Sequence, residues 1–462
     1  MARNIRADAL LSNYRNLRRL HWDGLSLWRA RELCWAWVAA DVHSCYCEVH
    51  HSGAGMKFWE KTAFAALVSL AVGSSAFAAE PTPALKQKFQ ETIASSKMSI
   101  VVKDGRLIGP GSDYLKSKAQ AAHFFLIGEE HGVADIADTV RFLFDDLNQA
   151  GYRHFAIEVD PYMTEKVEVL LRRGGTKALA QWLASDETKL SLPFYSWSAE
   201  AKLAHRVVAA KESPAPALWG LDQVFIGAFG HLLREMSLNA SHVEAKALAG
   251  KLADQARGDL EFVGKLELAR LEELKSLMNP SADGRFVRLI DDMILSARIY
   301  APFVGRAGLS VYAANLEREN LMKRTFLSRY VAAGKPKVIF KFGGNHMMQG
   351  LSLTHVPSLG NFVSDFAASE GKRTFHLMVL CGPETKAGDF MGNPADCDYS
   401  IDKHFPELVG HVDATQPTLI DLAPWKEKPV RWAHLSEEVR GLIWAYDAIL
   451  FVPNGKPARA LK

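Results

Sequence analysis

The chain has 462 residues, with 55 Lys and Arg against 52 Asp and Glu, a formal net charge of +3, 48% hydrophobic residues and 23% charged ones. These values exclude a disordered, collagen-like or coiled-coil chain and lack the basic excess with which a nucleic-acid binder displaces counterions. The length is ample to bury a core without a disulfide scaffold or structural metal.

Residues 1–55 hold seven Arg and no Lys, three of the five Cys and four of the eleven Trp, a composition unlike anything after Met56. They read as a spurious upstream extension. Residues 56–78 read as a secretory signal peptide: Lys57 and Lys61 precede an apolar run, and Ala76-Phe77-Ala78 forms an Ala-x-Ala cleavage site. The run is shorter than the roughly 20 apolar residues of a membrane span, and no Cys stands at the cleavage site for lipid attachment. The expected location is the periplasm or the medium, with no stable membrane anchor. Residues 1–78 hold nine of the basic and six of the acidic residues, leaving 46 of each in the mature chain 79–462. Such a chain has no charge to draw it to a polyanion or an anionic membrane.

In the mature chain, SIVVKDGRLIGPGS (99–112) predicts strand, Asp-Gly turn, strand. Apolar runs follow: HFFLI (123–127), HFAIEV (154–159), ALWGL (217–221), KVIFKF (337–342), TFHLMVL (374–380) and AILFV (448–452). Each is short and continuous, as strands buried on both faces of a parallel sheet are. Helical periods lie between them; in ADIADTVRFLFDDLNQAG, Ile136, Val140, Leu143, Phe144 and Leu147 share one face and Gly151 follows as the stop. From about 224 to 333 no strand-like run appears, and EAKALAGKLADQARGDLEFVGKLELARLEELKSLM reads as helix up to Asn279-Pro280. The expected fold class is α/β, a mostly parallel sheet flanked by helices, with an all-helical insertion inside a single domain spanning 79–462.

Ligands of open α/β sheets bind beyond the carboxyl ends of the strands. HFFLI is followed by Gly128-Glu129-Glu130-His131-Gly132, HFAIEV carries Glu158 and runs into Asp160, ALWGL precedes Asp222, and KVIFKF precedes Gly343-Gly344-Asn345-His346. Carboxylates and two imidazoles thus converge on one edge. His131 is the strongest candidate, because an imidazole titrating near neutrality, with its tautomer fixed by a carboxylate, takes a proton from water. Glu129 and Glu158 are candidates to orient it or hold a metal; Glu130 reads as the solvated member of its pair. The same four side chains, His131, Glu129, Glu158 and His346, would be the ligands if a divalent Zn or Mn were bound. H-E-x-x-H, G-x-S-x-G, P-loop and dinucleotide signatures are absent. Cys381 and Cys397, the two mature cysteines, predict a disulfide closing a Gly/Pro/Asp-rich loop.

LIGEEHG, then AIEVDP, LWGLD, a Leu-Glu-Arg-Glu-Asn-Leu-Met helix and GGNH, in that order, resemble the erythromycin esterase-like family and its superfamily, which includes Tiki/TraB proteins and ChaN-like haem-uptake proteins. The resemblance runs from about residue 122 to the closing YDAILFVP. It implies a hydrolase-like site in which His131 activates water, with Glu129 and Glu158 orienting it; joined to the signal peptide, the expectation is an exported hydrolase of an ester, lactone or amide bond. It further implies His346 as a second acid/base or oxyanion-side group, and Arg318 matches the Arg of the family's Arg-Asp pair; with Asn345, Asp222 and Asp160 from the strand ends, Arg318 is an expected substrate-binding group. Glu319 stands where the family's Arg-Asp pair has its Asp. The Glu129-Glu130-His131 spacing is that of the ChaN and Tiki branches, and the esterases' first-helix Arg falls on Val140, with Arg141 one position away. Two alternatives accompany this expectation, a periplasmic haem or iron-ligand binder of the ChaN type and a metal-dependent protease of the Tiki type. The expected partner is a small-molecule or peptide substrate.

Overall fold

The computed structural model describes residues 82–389, 392–427 and 432–462. The expected upstream extension and signal peptide lie outside the described residues.

Among the described residues eight strands form the main sheet: β1 (Lys97–Ser99), β2 (Phe124–Glu129), β3 (His154–Ile157), β4 (Leu218–Gly220), β5 (Val338–Gly343), β6 (Thr374–Cys381), β7 (Thr418–Asp421) and β8 (Ala448–Val452). Their order is β1-β7-β8-β6-β2-β5-β3-β4. The pairs from β8 to β4 are parallel, and only β7 runs against its neighbours. Every apolar run of the sequence thus supplies a strand. β1 and β7 are additions at the far edge, too short and too polar to stand out in the sequence. The expected hairpin is Val101–Lys103 paired with Arg106–Ile108, turning through Asp104 and Gly105, both at positive φ.

Alternation along each strand splits the core into two layers, because successive side chains leave a strand on opposite faces. Phe125, Ile127, Phe155, Ile157, Ile339, Leu377 and Val379 pack on one face. Phe124, Leu126, Ala156, Phe340, Phe342, Met378 and Leu380 pack on the other. Both faces are covered, which is why these runs are apolar throughout rather than alternating.

The helical insertion between β4 and β5 belongs to the same core. Leu232, Met236, Leu252 and Met293 join the first layer, whereas Met322, Phe326 and Tyr330 of the helix Val311–Ala332 join the second. The helical stretch up to Asn279 consists of Val243–Ala256, Phe262–Lys265 and Leu268–Ser276, with a break after Ala256 where Gly258 adopts φ +67°. Among the described residues no helix is long and apolar enough to cross a membrane.

Candidate active site

β2, β3 and β5 end together. Glu129 stands opposite Gly343, and Ile157 opposite Lys341, so Glu158, one residue beyond β3, reaches the same edge. Gly132, at φ +84°, turns the chain from β2 toward the helix Ala134–Gln149, and a Cβ there would lie 2.3 Å from the Gly388 carbonyl oxygen. A cavity of about 530 Å³ opens over these strand ends. Its floor is Glu129, His131, Glu158, Gly343, Asn345 and His346, and its walls are mainly apolar, including Met348, Met378, Leu380, Phe405 and Leu442.

The His131 ring lies between two carboxylates, Nδ1 3.1 Å from Glu129 Oε1 and Nε2 3.4 Å from Glu158 Oε2. Phe194 stacks on it with centroids 4.2 Å apart and planes 18° from parallel, and holds φ +57°, a conformation a bulky residue rarely adopts. His346 is held in the same way, Nδ1 2.6 Å from Glu319 Oε1 and Nε2 3.3 Å from Glu158 Oε1. The other Glu319 oxygen accepts the Leu359 N–H, and the Tyr446 hydroxyl donates to the Gly344 carbonyl, pinning the Gly-Gly-Asn-His turn.

Each carboxylate is anchored in turn. Glu158 accepts the Gly343 N–H at 2.7 Å and Arg318 Nη2 at 2.8 Å, and Arg318 forks onto both oxygens of Asp222 at 2.9 and 2.6 Å. Glu129 takes the buried ammonium of Lys341 at 2.5 Å, which also reaches Glu200 at 2.8 Å. The second oxygen of Glu200 is buried with no hydrogen-bond partner.

These contacts determine the protonation states. Burial lowers the His131 pKa, but hydrogen bonds and charge from Glu129 and Glu158 outweigh it and push the pKa up to about 10. His346, lowered by burial and raised by Glu319 and Glu158, reaches about 9. Burial works against ionising Glu158, yet His346 and His131 hold it well below the usual carboxylate range; Glu129 is lowered likewise by Lys341 and His131. Both imidazoles therefore rest as cations at neutral pH. The expectation of a His131 titrating near neutrality is corrected: it faces two carboxylates, not one.

Four further expectations change. Arg318 and Asp222 do not line the cavity; they form the ion pair behind Glu158 and position it. Asp160, fully buried, caps the helix Pro161–Leu183 by accepting the Tyr162 and Met163 N–H groups, so it too is remote from a substrate. Of the expected substrate-binding groups, Asn345 alone lines the cavity. Glu130 is not solvated: its side chain is buried and accepts the Asp398 N–H at 2.7 Å. His131, Glu129, Glu158 and His346 also do not fit a metal. The imidazoles turn both nitrogens to carboxylates, Lys341 and Arg318 already neutralise Glu129 and Glu158, and among the described residues no group of three or more His, Cys, Asp or Glu is arranged to hold an ion.

Lys341, Glu200 and Phe194 escape a reading of the sequence. Lys341 alone left a signal there, a lysine inside the apolar run KVIFKF, since a charge in a buried strand needs a partner. Cys381, the last residue of β6, is disulfide-bonded to Cys397.

No known protein family matches the chain by sequence, and no curated protein does. Solved structures do. A histidine mutant of the erythromycin esterase EreC in its open conformation superposes with a TM-score of 0.54 at 14% identity, over 78% of this chain and 98% of that one. A protein of Bacillus cereus matches with a TM-score of 0.54 at 13% identity, over 82% of this chain and 99% of the other. A protein described as a succinoglycan biosynthesis protein matches with a TM-score of 0.55 at 15% identity, over 82% and 99%. The chain has the erythromycin esterase-like fold.

Proposed function

We propose that this protein is a hydrolase that exchanges the proton of an attacking water with His131 and cleaves an ester, lactone or amide bond of a small molecule or peptide. The observation that carries the proposal is an imidazole clamped between two buried carboxylates at the floor of an apolar-walled cavity, 31% of its side chain still open to that cavity. Buried ion pairs cost desolvation, and a fold that only needed stability would fill this space better with apolar groups.

In this reading the neutral form of His131 takes a proton at Nε2, whose contact with Glu158 is the longer of its two at 3.4 Å, from a water whose oxygen attacks the carbonyl carbon. The charge that develops on the carbonyl oxygen is stabilised by the positive charge of the His346 imidazolium in a water-poor site, while its N–H groups stay on Glu319 and Glu158. The proton on His131 then passes to the departing alcohol or amine. Glu129 and Glu158 fix the ring, and Arg318, Asp222 and Lys341 fix the carboxylates. Residues 56–78 support an exported protein, and the Cys381–Cys397 disulfide suits an oxidising compartment.

The test assays purified protein and His131→Ala against esters, lactones and peptides, with and without a chelator. Turnover by the wild type that the variant loses supports the proposal. A variant as active as the wild type refutes it, and loss of wild-type activity with chelator alone moves the chemistry to a metal.

A further inference from the structure

The loop that carries His131 accepts three backbone N–H groups from the stretch 388–399. Glu130 Oε1 accepts the backbone N–H of Asp398 at 2.7 Å and of Tyr399 at 3.4 Å. The Gly132 carbonyl accepts the Gly388 N–H at 2.6 Å. Cys397, next to Asp398, is bonded to Cys381 at the end of β6, and both sulfurs are buried. Leu380, Asp398, Tyr399 and Phe405, on either side of this bond, line the cavity that opens over His131. The segment is also held by Ile401 and Phe405, which are buried in the second core layer, but at the end nearest His131 its Asp398 and Tyr399 amides rest on Glu130, a carboxylate withdrawn from water whose burial is costly without those partners.

We infer that Glu130 is a positioning residue that, with the Cys381–Cys397 disulfide, holds the 397–405 segment as the outer wall of the cavity and thereby selects substrates with a large apolar group. The segment adds Phe405 to an apolar lining made by Met378 and Leu380 of β6 and by Leu442, which a small acetyl group does not fill and a long acyl chain does. Glu130, itself at the margin of the cavity, is engaged by the Asp398 and Tyr399 amides and acts through them, not on the reacting atoms. The substrate readout rests on the hydrolase reading; the binding and exchange readouts do not.

The experiment compares wild type, Glu130→Ala, Glu130→Gln and Cys381→Ala/Cys397→Ala, each checked for folding by circular dichroism. Three quantities are read: kcat/KM for p-nitrophenyl decanoate relative to acetate, the Kd for Nile red, and amide hydrogen exchange across 397–405. Glu130→Ala is expected to lower the decanoate-to-acetate ratio about tenfold and weaken Nile red about tenfold, the loss of one hydrogen bond to a charged group. Exchange at Asp398 and Tyr399 should accelerate. Glu130→Gln keeps an acceptor oxygen and should restore most of all three, and the cysteine pair should shift them in the same direction as Glu130→Ala. Should Glu130→Ala not fold, the cysteine pair carries the test. Equal losses for acetate and decanoate, unchanged exchange, or a Gln variant as impaired as the Ala variant would overturn the inference. If the wild type cleaves no ester, the hydrolase reading falls, and dye binding with amide exchange still decides the wall.

Discussion

Replacing Glu129 by Gln removes one of the two charges that hold His131 protonated while keeping a side chain able to hydrogen-bond Nδ1. His131 is raised from 6.5 to about 10 with its carboxylates at 3.1 and 3.4 Å. One opposite charge at such a distance is worth about one to three pKa units, so the variant should titrate near 8, about two units lower. The sign follows from the charge: a carboxylate stabilises the imidazolium, and its loss favours the neutral ring. Lys341 keeps Glu200 as a partner, so the change leaves no orphan cation. If neutral His131 is the base, wild-type kcat/KM should climb about tenfold per pH unit from 6 to near 10, because each unit multiplies the neutral fraction by ten. The variant should bend about two units earlier, gaining activity at pH 7 and losing it above pH 9, where the ring is a weaker base. The assay is kcat/KM from pH 5.5 to 10.5 for both proteins on an ester that the wild type cleaves. A wild-type profile bending near 6.5, or two profiles bending at the same pH, would refute the carboxylate clamp as the cause.

Other consequences concern stability and geometry. His131 and His346 have folded pKa values of about 10 and about 9 against 6.5 unfolded, so their contribution is complete below pH 6.5 and drains away as pH rises through 9 and 10. Tm should therefore fall between pH 7 and pH 10, and less steeply in Glu129→Gln; a flat wild-type curve contradicts this. Lys341→Met leaves Glu129 and Glu200 buried without their cation and should cost roughly 3–5 kcal/mol in urea unfolding, with part recovered by adding Glu200→Gln. A loss below about 1 kcal/mol would place these groups in far wetter surroundings. In Gly343→Ala the new Cβ would stand 2.7 Å from His131 Nε2 and 3.4 Å from Glu158 Oε2, so the ring must swing aside. With native circular dichroism, kcat/KM should drop about a hundredfold, as misplacement of a reacting group by about 1 Å does; an active variant would show that His131 need not sit where it does.

Much of the architecture was legible because it is local. Phe124 to Ile127 and Val338 to Phe342 are apolar without alternation, which identifies strands covered on both faces before any partner is known. Ile136, Val140, Leu143, Phe144 and Leu147 share a helical face, and all are buried. The ends of these strands located His131 and His346. Less legible was Gly258, one residue with positive φ that breaks a helix-rich stretch whose composition favours continuity.

What the sequence by itself determined was the order of strands and helices and the edge at which chemistry gathers, since both follow from periods of two and 3.6 residues and from turn residues at strand ends. Tertiary structure alone decided which charge meets which. Arg318 lies 160 residues from Glu158, Lys341 is 212 from Glu129, and Glu130 is 268 from Asp398. No local period encodes such pairs. The pairing of β2 with β5 brings Lys341 to Glu129, and the packing of the Val311–Ala332 helix and of the disulfide-closed segment against the sheet brings the other two pairs within hydrogen-bond reach. That proximity, in a site largely closed to water, turns two ordinary histidines into resting cations and a surface-looking glutamate into a buried anchor.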